Sequence, residues 1–478
     1  MRNTKRIAAA SFVALALVAS ACSKDDSAST EAASETSAAS AETTAVAADT
    51  EPAAAETTVA ADTTPATDAP VAAAGEDVIG EIGDSLKGKS VTVFTSIRDA
   101  EAKKLEDAWI DFETKTGIDI KLEPSGEFEE QLRVRADGGN APDIAIIPQP
   151  GLAADLARKG KMIELPELAD YVKNNHIAGW AELGTVDGKF YAPPLGANVK
   201  SMVWYSPAAF AEKGYAVPKT WAELLTLSDK MVTDGITPWC VGAESGGATG
   251  WVMTDWMEDI MLRVNGADVY DQWVAHTIPF NDPKVKAVAD EAAKVLLNEK
   301  YVKGGVKSIA TTSFQESGLG ILDGSCMMHR QASFYGNQFP EGTTKGPDGQ
   351  VNIFYFPGAS EADRPVLGGG EIMGAFRDAP EVRATIKYLT SAQYANSKAK
   401  LGDWLSPNKG LSPDSIANPL EKQFLALLQG ATVFRFDASD LMPPGVGAGS
   451  FWKEMVEWSN GKDTQKMLDA IEASWPKA

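Results

Sequence analysis

The chain predicts an α/β protein of two bodies with a ligand cleft between them. Three observations carry this. The pattern strand, helix, strand, helix, strand recurs, which is the mark of a mainly parallel sheet covered by helices. Glycine-containing extended stretches recur at about 196, 360 and 405, as expected of a chain that crosses between two bodies more than once. Roughly 400 residues follow Asp77, more than one hydrophobic core usually organises. A cleft between two such bodies is a usual place for a small ligand.

The elements follow in order. "SVTVFTS" reads as an apolar strand. The next run places Leu105, Ala108, Trp109 and Phe112 at helical spacing and stops at Gly117. "IDIKLEP" alternates as a strand, "FEEQLRVRADGGN" is a polar helix, and "PDIAIIP" is a buried strand. Further on, "DGKFYAPP" reads as a hairpin and "VKSMVWYS" as an extended run. "TWAELLTLSDKMVTDG" is a helix with Thr220 as its N-cap and Leu224 and Leu227 on its apolar face. "SCMMHRQAS", "VNIFYFP" and "GGGEIMGAF" read as strands, "PEVRATIKYLTSAQYANSKAK" as one helix, and "FRFDASDLMPPGVGAGS" as a loop in a helical C-terminal part.

The first residues, "MRNTKRIAAASFVALALVASAC", combine a basic head, a short apolar run and small residues before Cys22. That is the layout of a secretory signal. It resembles a bacterial lipoprotein signal, which implies removal of residues 1–21 and a lipid on Cys22, enough acyl chain for stable anchoring. Residues 22–85 are rich in Ala, Thr and Glu with no core-forming pattern, and are expected to be a disordered tether. The rest is expected to be exported and soluble on the outer face of the cytoplasmic membrane. The net charge of −22 argues against a nucleic-acid partner. The two remaining cysteines, Cys240 and Cys326, are predicted to bond to each other, because an exported chain oxidises such a pair. With three histidines and no metal-binding spacing, no metal or cofactor is expected.

The stretches "APDIAIIPQPGLAADLARKG", "VKSMVWYSPAAFAEKGY", "PKTWAEL", "PWCVGAESGGATGWVMTDWMEDIMLR", "CMMHRQASF" and "RFDASDLMP", in this order, resemble the extracellular solute-binding proteins of ABC-type sugar importers. The likeness is to the branch that binds α-glucosides, and distantly to maltose-binding protein. It implies a two-lobed periplasmic-binding-protein-like fold of type II, with hinge crossovers and an interlobe cleft. Lobe one would comprise 88–197 and 365–403, and lobe two 198–358 and 406–478. It also implies a monomeric receptor that binds a carbohydrate without altering it and passes it to the permease subunits of an importer. A secreted glycoside hydrolase, or a receptor for a polyol or other non-sugar solute, are the rival readings.

Sugars have apolar ring faces edged by hydroxyls, so a receptor needs aromatic planes and fixed hydrogen-bonding groups, preferably charged. In "SGGATGWVMTDW" we assign Trp251 as a stacking platform, with Thr249, Gly250 and Asp255 at hydroxyls. Trp256 lies roughly 140° around the helix from Trp251 and is expected to face the core. Loops after strands of lobe one add Ser96, Arg98, Glu101, Glu127, Phe128 and Gln149. From elsewhere come His329, Arg330, Gln331 and Phe334, then Glu371, Trp404, Arg435, Asp437 and Asp440.

Overall fold

The computed structural model describes residues 76–416 and 418–477. The signal segment, Cys22 and the tether up to residue 75 lie outside them. The expected tether runs to 85, but its last part is already folded. Val78–Ile82 is a short helix capped by Asp77, and Val78 and Ile79 are buried against the core.

Eleven strands occur among the described residues: β1 (Ser90–Thr95), β2 (Asp119–Pro124), β3 (Ile144–Ile147), β4 (Thr185–Val186), β5 (Lys189–Phe190), β6 (Pro194–Val199), β7 (Met202–Tyr205), β8 (Met328–Arg330), β9 (Asn352–Tyr355), β10 (Pro365–Ala375) and β11 (Val433–Phe436). The largest sheet has the order β11-β10-β3-β1-β2, with β6 also paired to β10. β1 runs parallel to β2 and β3, and the helices Asp99–Thr116 and Phe128–Asp137 make the crossovers. The predicted stop is present: Gly117 adopts φ 69° and its N–H closes on the carbonyl of Glu113.

Both faces of this sheet are buried, and the alternation of a strand sorts its side chains. Val91, Val93, Ile144 and Ile146 pack with Leu105, Trp109, Phe112 and Ile386. Phe94, Ala145 and Ile147 pack on the other face with Phe128, Leu132 and Leu156. The second, antiparallel sheet has the order β8-β7-β9. It packs beside the helix Trp251–Val274 in the largest core, with Trp239, Trp256, Trp273 and Trp458. Trp256 is core, edge-on to Trp239 and Phe356.

The two bodies are joined where β6 and β10 run side by side. Lys200 N–H bonds to the Leu367 carbonyl, and Ala197 N–H to that of Leu405, so the extended stretches near 196 and 405 meet at β10's glycines. Gly370 (φ 153°) has no room for a side chain: a Cβ would stand 2.2 Å from the Gly196 carbonyl oxygen. Among the described residues no helix is long and apolar enough to cross a membrane.

Two expected elements differ. The helix read across 380–400 is broken in two, Pro380–Leu389 and Ala392–Ala399, because the Ser391 hydroxyl caps a new start at Tyr394 N–H. The stretch read as a loop at 434 begins as β11, which gains a strand's hydrogen bonds from β10.

Cys240 and Cys326 form the predicted disulfide, closing 86 residues of chain. Replacing both by serine is expected to lower the unfolding free energy by up to about 4–5 kcal/mol in the chain-entropy model, read as a lower urea midpoint. An unchanged midpoint would mean the crosslink restrains nothing.

Candidate functional site

The site begins at the N-terminus of the helix Trp251–Val274. Thr249 Oγ1 donates to the Gly246 carbonyl at 2.6 Å and accepts from Ser245 N–H at 3.0 Å, which holds the preceding turn. Gly250 (φ 115°) follows, and a Cβ there would lie 2.3 Å from the Trp452 carbonyl oxygen. The helix therefore starts pressed against the C-terminal segment, and Trp251 opens it with its ring beside Phe314 and Phe334, which also meet each other.

Trp251 faces a cavity that is partly open to solvent. Of the assigned residues, Arg98, Gln149, Trp251, Asp255, Glu371 and Asp437 line it, as do Ser96, Glu101, Phe334 and Asp440. They come from loops after β1 and β3, from the glycines of β10, and from the helix starts of the other body. Separate parts of the sequence thus converge on one space.

A buried ionic network forms part of the cavity floor and continues beneath it. Lys200 Nζ, just beyond the end of β6, bonds to Asp255 Oδ1 at 2.9 Å and Asp437 Oδ2 at 2.5 Å. Arg330 reaches Asp255 at 3.1 Å and Asp259 at 3.0 Å, and Arg263 and the Ser201 hydroxyl also bond to Asp259. Glu258 accepts from Ala438 N–H and Ser439 N–H. Burial works against the charge on Lys200, but Asp255 and Asp437 hold it protonated well above the usual lysine range. Burial likewise opposes the charge on Asp437, yet Lys200 keeps it below the usual carboxylate range. Burial pushes Glu258 and Asp440 well above it, with Asp437 adding repulsion to both. Asp255, Glu258 and Asp437 could together hold a cation, their oxygens lying within 4.8 Å of one another. The Lys200 ammonium already supplies positive charge to two of them.

At the hinge end, Glu371 Oε1 accepts from Asn198 Nδ2 at 3.2 Å. Burial raises Glu371 to about 7, and burial with the nearby Glu371 raises Glu101 to about 8. At the mouth, Glu127 Oε1 accepts from Gly247 N–H at 3.1 Å, and Asp99 Oδ2 from Gln315 Nε2 at 3.3 Å. These two bonds bridge loops of the two bodies.

Seven assigned residues are not among those lining the cavity. Thr249 and Gly250 shape the helix start, and Glu127 bridges the mouth. Arg330 is fully buried beneath the floor, its charge spent on the two aspartates. Gln331 bonds to the following Ala332 N–H, and its carbonyl accepts from Trp204 Nε1. Trp404 stands behind Gly196, against Tyr394. Arg435 turns away and clamps Asp271 at 2.6 and 2.7 Å, a partly exposed ion pair. Phe128 and His329 are core residues too, the latter bonded to the Cys240 carbonyl. Sequence reasoning missed Lys200, Glu129, Asn198 and Trp452, which line the cavity. Lys200 carried a signal, a lone cation between the apolar runs of two strands, which must find a partner when buried. Trp452 carried none that separates it from core tryptophans.

Two outcomes follow. Lys200→Met leaves Asp255 and Asp437 without their shared counter-charge and is expected to destabilise the chain by about 3–5 kcal/mol in urea unfolding. Glu101 and Glu371 keep a proton in the folded chain at pH values where the unfolded chain, with carboxyls near ~4.3, has lost it. Their contribution therefore falls as pH rises towards 7 and 8. The melting temperature of the ligand-free protein is expected to drop from pH 6.5 to 8, and Glu101→Gln to flatten that slope.

Residues 94–396 match the family described as bacterial extracellular solute-binding protein. Over 394 residues, 81% of this chain and 93% of the other, it is 41% identical to the osmoprotective compounds-binding protein GgtB of Synechocystis sp.. Over 406 residues, 82% of this chain and 88% of the other, it is 39% identical to the alpha-glucosides-binding periplasmic protein AglE of Rhizobium meliloti. Among solved structures, maltose-bound MalE3 of T. maritima superposes with a TM-score of 0.65 at 16% identity, over 81% of this chain and 98% of that one. A chitin oligosaccharide binding protein does so with a TM-score of 0.70 at 19% identity, over 80% and 97%. These likenesses show the two-lobed fold, and the matched length together with the identity to GgtB and AglE makes this chain a member of the bacterial extracellular solute-binding protein family.

Proposed function

We propose that the protein is a lipid-anchored receptor for an α-glucoside or related oligosaccharide, which it delivers to the permease of an ABC importer. One observation carries the reading. The cavity joins the Trp251 ring, beside Phe314 and Phe334, to carboxyl and amide groups from both bodies. That combination suits a ring with apolar faces and a hydroxylated edge. The names of the relatives GgtB and AglE support it. Trp251 stacks on the sugar, while Arg98, Gln149, Glu371 and Asp255 or its neighbours in the ionic floor meet hydroxyls. A solute that touches both bodies favours the closed arrangement by its differential affinity, and the Glu127–Gly247 and Asp99–Gln315 bonds add to it. Lobe boundaries near 197, 365 and 405 place these contacts on opposite sides of the hinge. Anchoring through Cys22 keeps the receptor at the membrane where its permease lies.

The test is a thermal-shift and tryptophan-fluorescence titration of the tether-free protein with maltose, trehalose, sucrose and methyl α-glucoside. At least one is expected to bind and to be recovered intact. Hydrolysis of the sugar, or binding of none of them, would overturn the reading. Trp251→Ala is expected to weaken binding by about 1–3 kcal/mol, more than it lowers ligand-free stability. Labelling with a fatty-acid analogue is expected to mark the full chain and not Cys22→Ala.

A further inference from the structure

Two side chains that line the cavity each carry a buried polar atom with no partner in the protein. One is the acceptor Gln149 Oε1 and the other the donor Trp452 Nε1. Gln149 is 5% exposed and Trp452 4%. Buried polar atoms are almost always hydrogen-bonded, so each such exception asks for an explanation.

The Gln149 amide is held at its other end, and the Trp452 backbone is closely packed. Gln149 Nε2 donates to Glu129 Oε1 at 3.0 Å, which fixes the amide oxygen as the end left over. The helix Pro150–Arg158 that Gln149 begins is pressed onto the C-terminal segment: a Cβ on Gly151 would lie 2.2 Å from the Met442 carbonyl oxygen. Trp452 opens the helix Trp452–Ser459, and its own carbonyl is held against Gly250. Gln149 follows β3 of the six-stranded sheet, whereas Trp452 opens a helix that packs with the helix Trp251–Val274.

We propose that Gln149 Oε1 and Trp452 Nε1 form a specificity subsite for hydroxyls of the bound solute. One hydroxyl donates to the amide oxygen and another accepts from the indole N–H. A hydroxyl can take either role, as donor or as acceptor. The subsite rests on the receptor reading above and deepens it: a diol bonded to both atoms spans the two bodies and is discriminated from its deoxy analogue, which leaves one buried atom unpaired.

Trp452→Phe keeps a ring and removes the N–H. Wild type and this variant are titrated calorimetrically with maltose, trehalose, sucrose, methyl α-glucoside, glycerol, sorbitol and myo-inositol, alongside the ligand-free melting temperatures. The variant is expected to bind about five- to tenfold more weakly with an unchanged melting temperature. A monodeoxy analogue that binds wild type more weakly is expected to lose nothing further in the variant. Should the variant fail to fold, the indole N–H resonance of Trp452 in wild type is expected to shift when the sugar saturates. Equal affinity of the two proteins, or an unmoved resonance, overturns the subsite while leaving the α-glucoside reading standing. Trp452-dependent binding of a polyol without any α-glucoside binding does the reverse. If no hydroxylated compound binds, both fall.

Discussion

The ammonium of Lys200 is the pivot of the structure. It stands just beyond the end of the β6 crossover, between Asp255 on the long helix and Asp437 at the start of the segment that carries Ser439 and Asp440. Charges this deep are costly alone, by several kcal/mol each, and are tolerated when paired and further hydrogen-bonded. Here the pairing continues outward through Arg330 to Asp259 and Arg263, so the helix, β8 and the crossover are tied beneath one floor. The floor is rigid and polar, and that is the kind of surface on which hydroxyl recognition depends. Asp437 is also the N-cap of the helix Ala438–Leu441 and accepts from the Ser439 hydroxyl, so its orientation is fixed twice over.

The crossovers supply the second constraint. β10 pairs with β11, β6 and β3 along its length, and its Gly368, Gly369 and Gly370 let Phe434, Lys200 and Gly196 approach where side chains would collide. Just beyond, Asp403 (φ 57°) gathers Lys104 at 2.9 Å and Lys345 at 2.6 Å. An ionic contact at the third crossing therefore joins the helix Asp99–Thr116 to the loop before β9. The crossing is built from close backbone contacts and a few charges, and apolar packing runs through it: Leu367 sits in the largest core and Trp180 lies edge-on to Phe436.

The parallel sheet was legible because its strands are buried on both faces and its helices carry apolar residues at unambiguous spacing. The caps at Thr220 and Gly117 read directly from local chemistry. The break at Ser391 was not legible, since a serine within a helical pattern is also tolerated, and the choice falls to packing. β11 was hidden in the same way. "VFRF" has no strand signal strong enough to act alone, and β10 decides it. Of the residues assigned from the sequence, Arg98, Gln149 and Trp251 at element ends and Glu371 within β10 come together around one cavity. Charged residues were misplaced where the chain gives type but no direction: Arg330 beneath the floor, Arg435 out against Asp271.

The amino-acid order by itself determined the α/β class, the disulfide pair, the helix starts that could face a cleft, and the family. These depend on short-range periodicity, capping and covalent arithmetic, which are local. Only the tertiary structure decided which charges pair. Lys200 meets Asp437 across 237 positions of chain, a contact no local pattern encodes. It also decided which tryptophans face the cavity and which fill the core, because the ring is the same and only its neighbours differ.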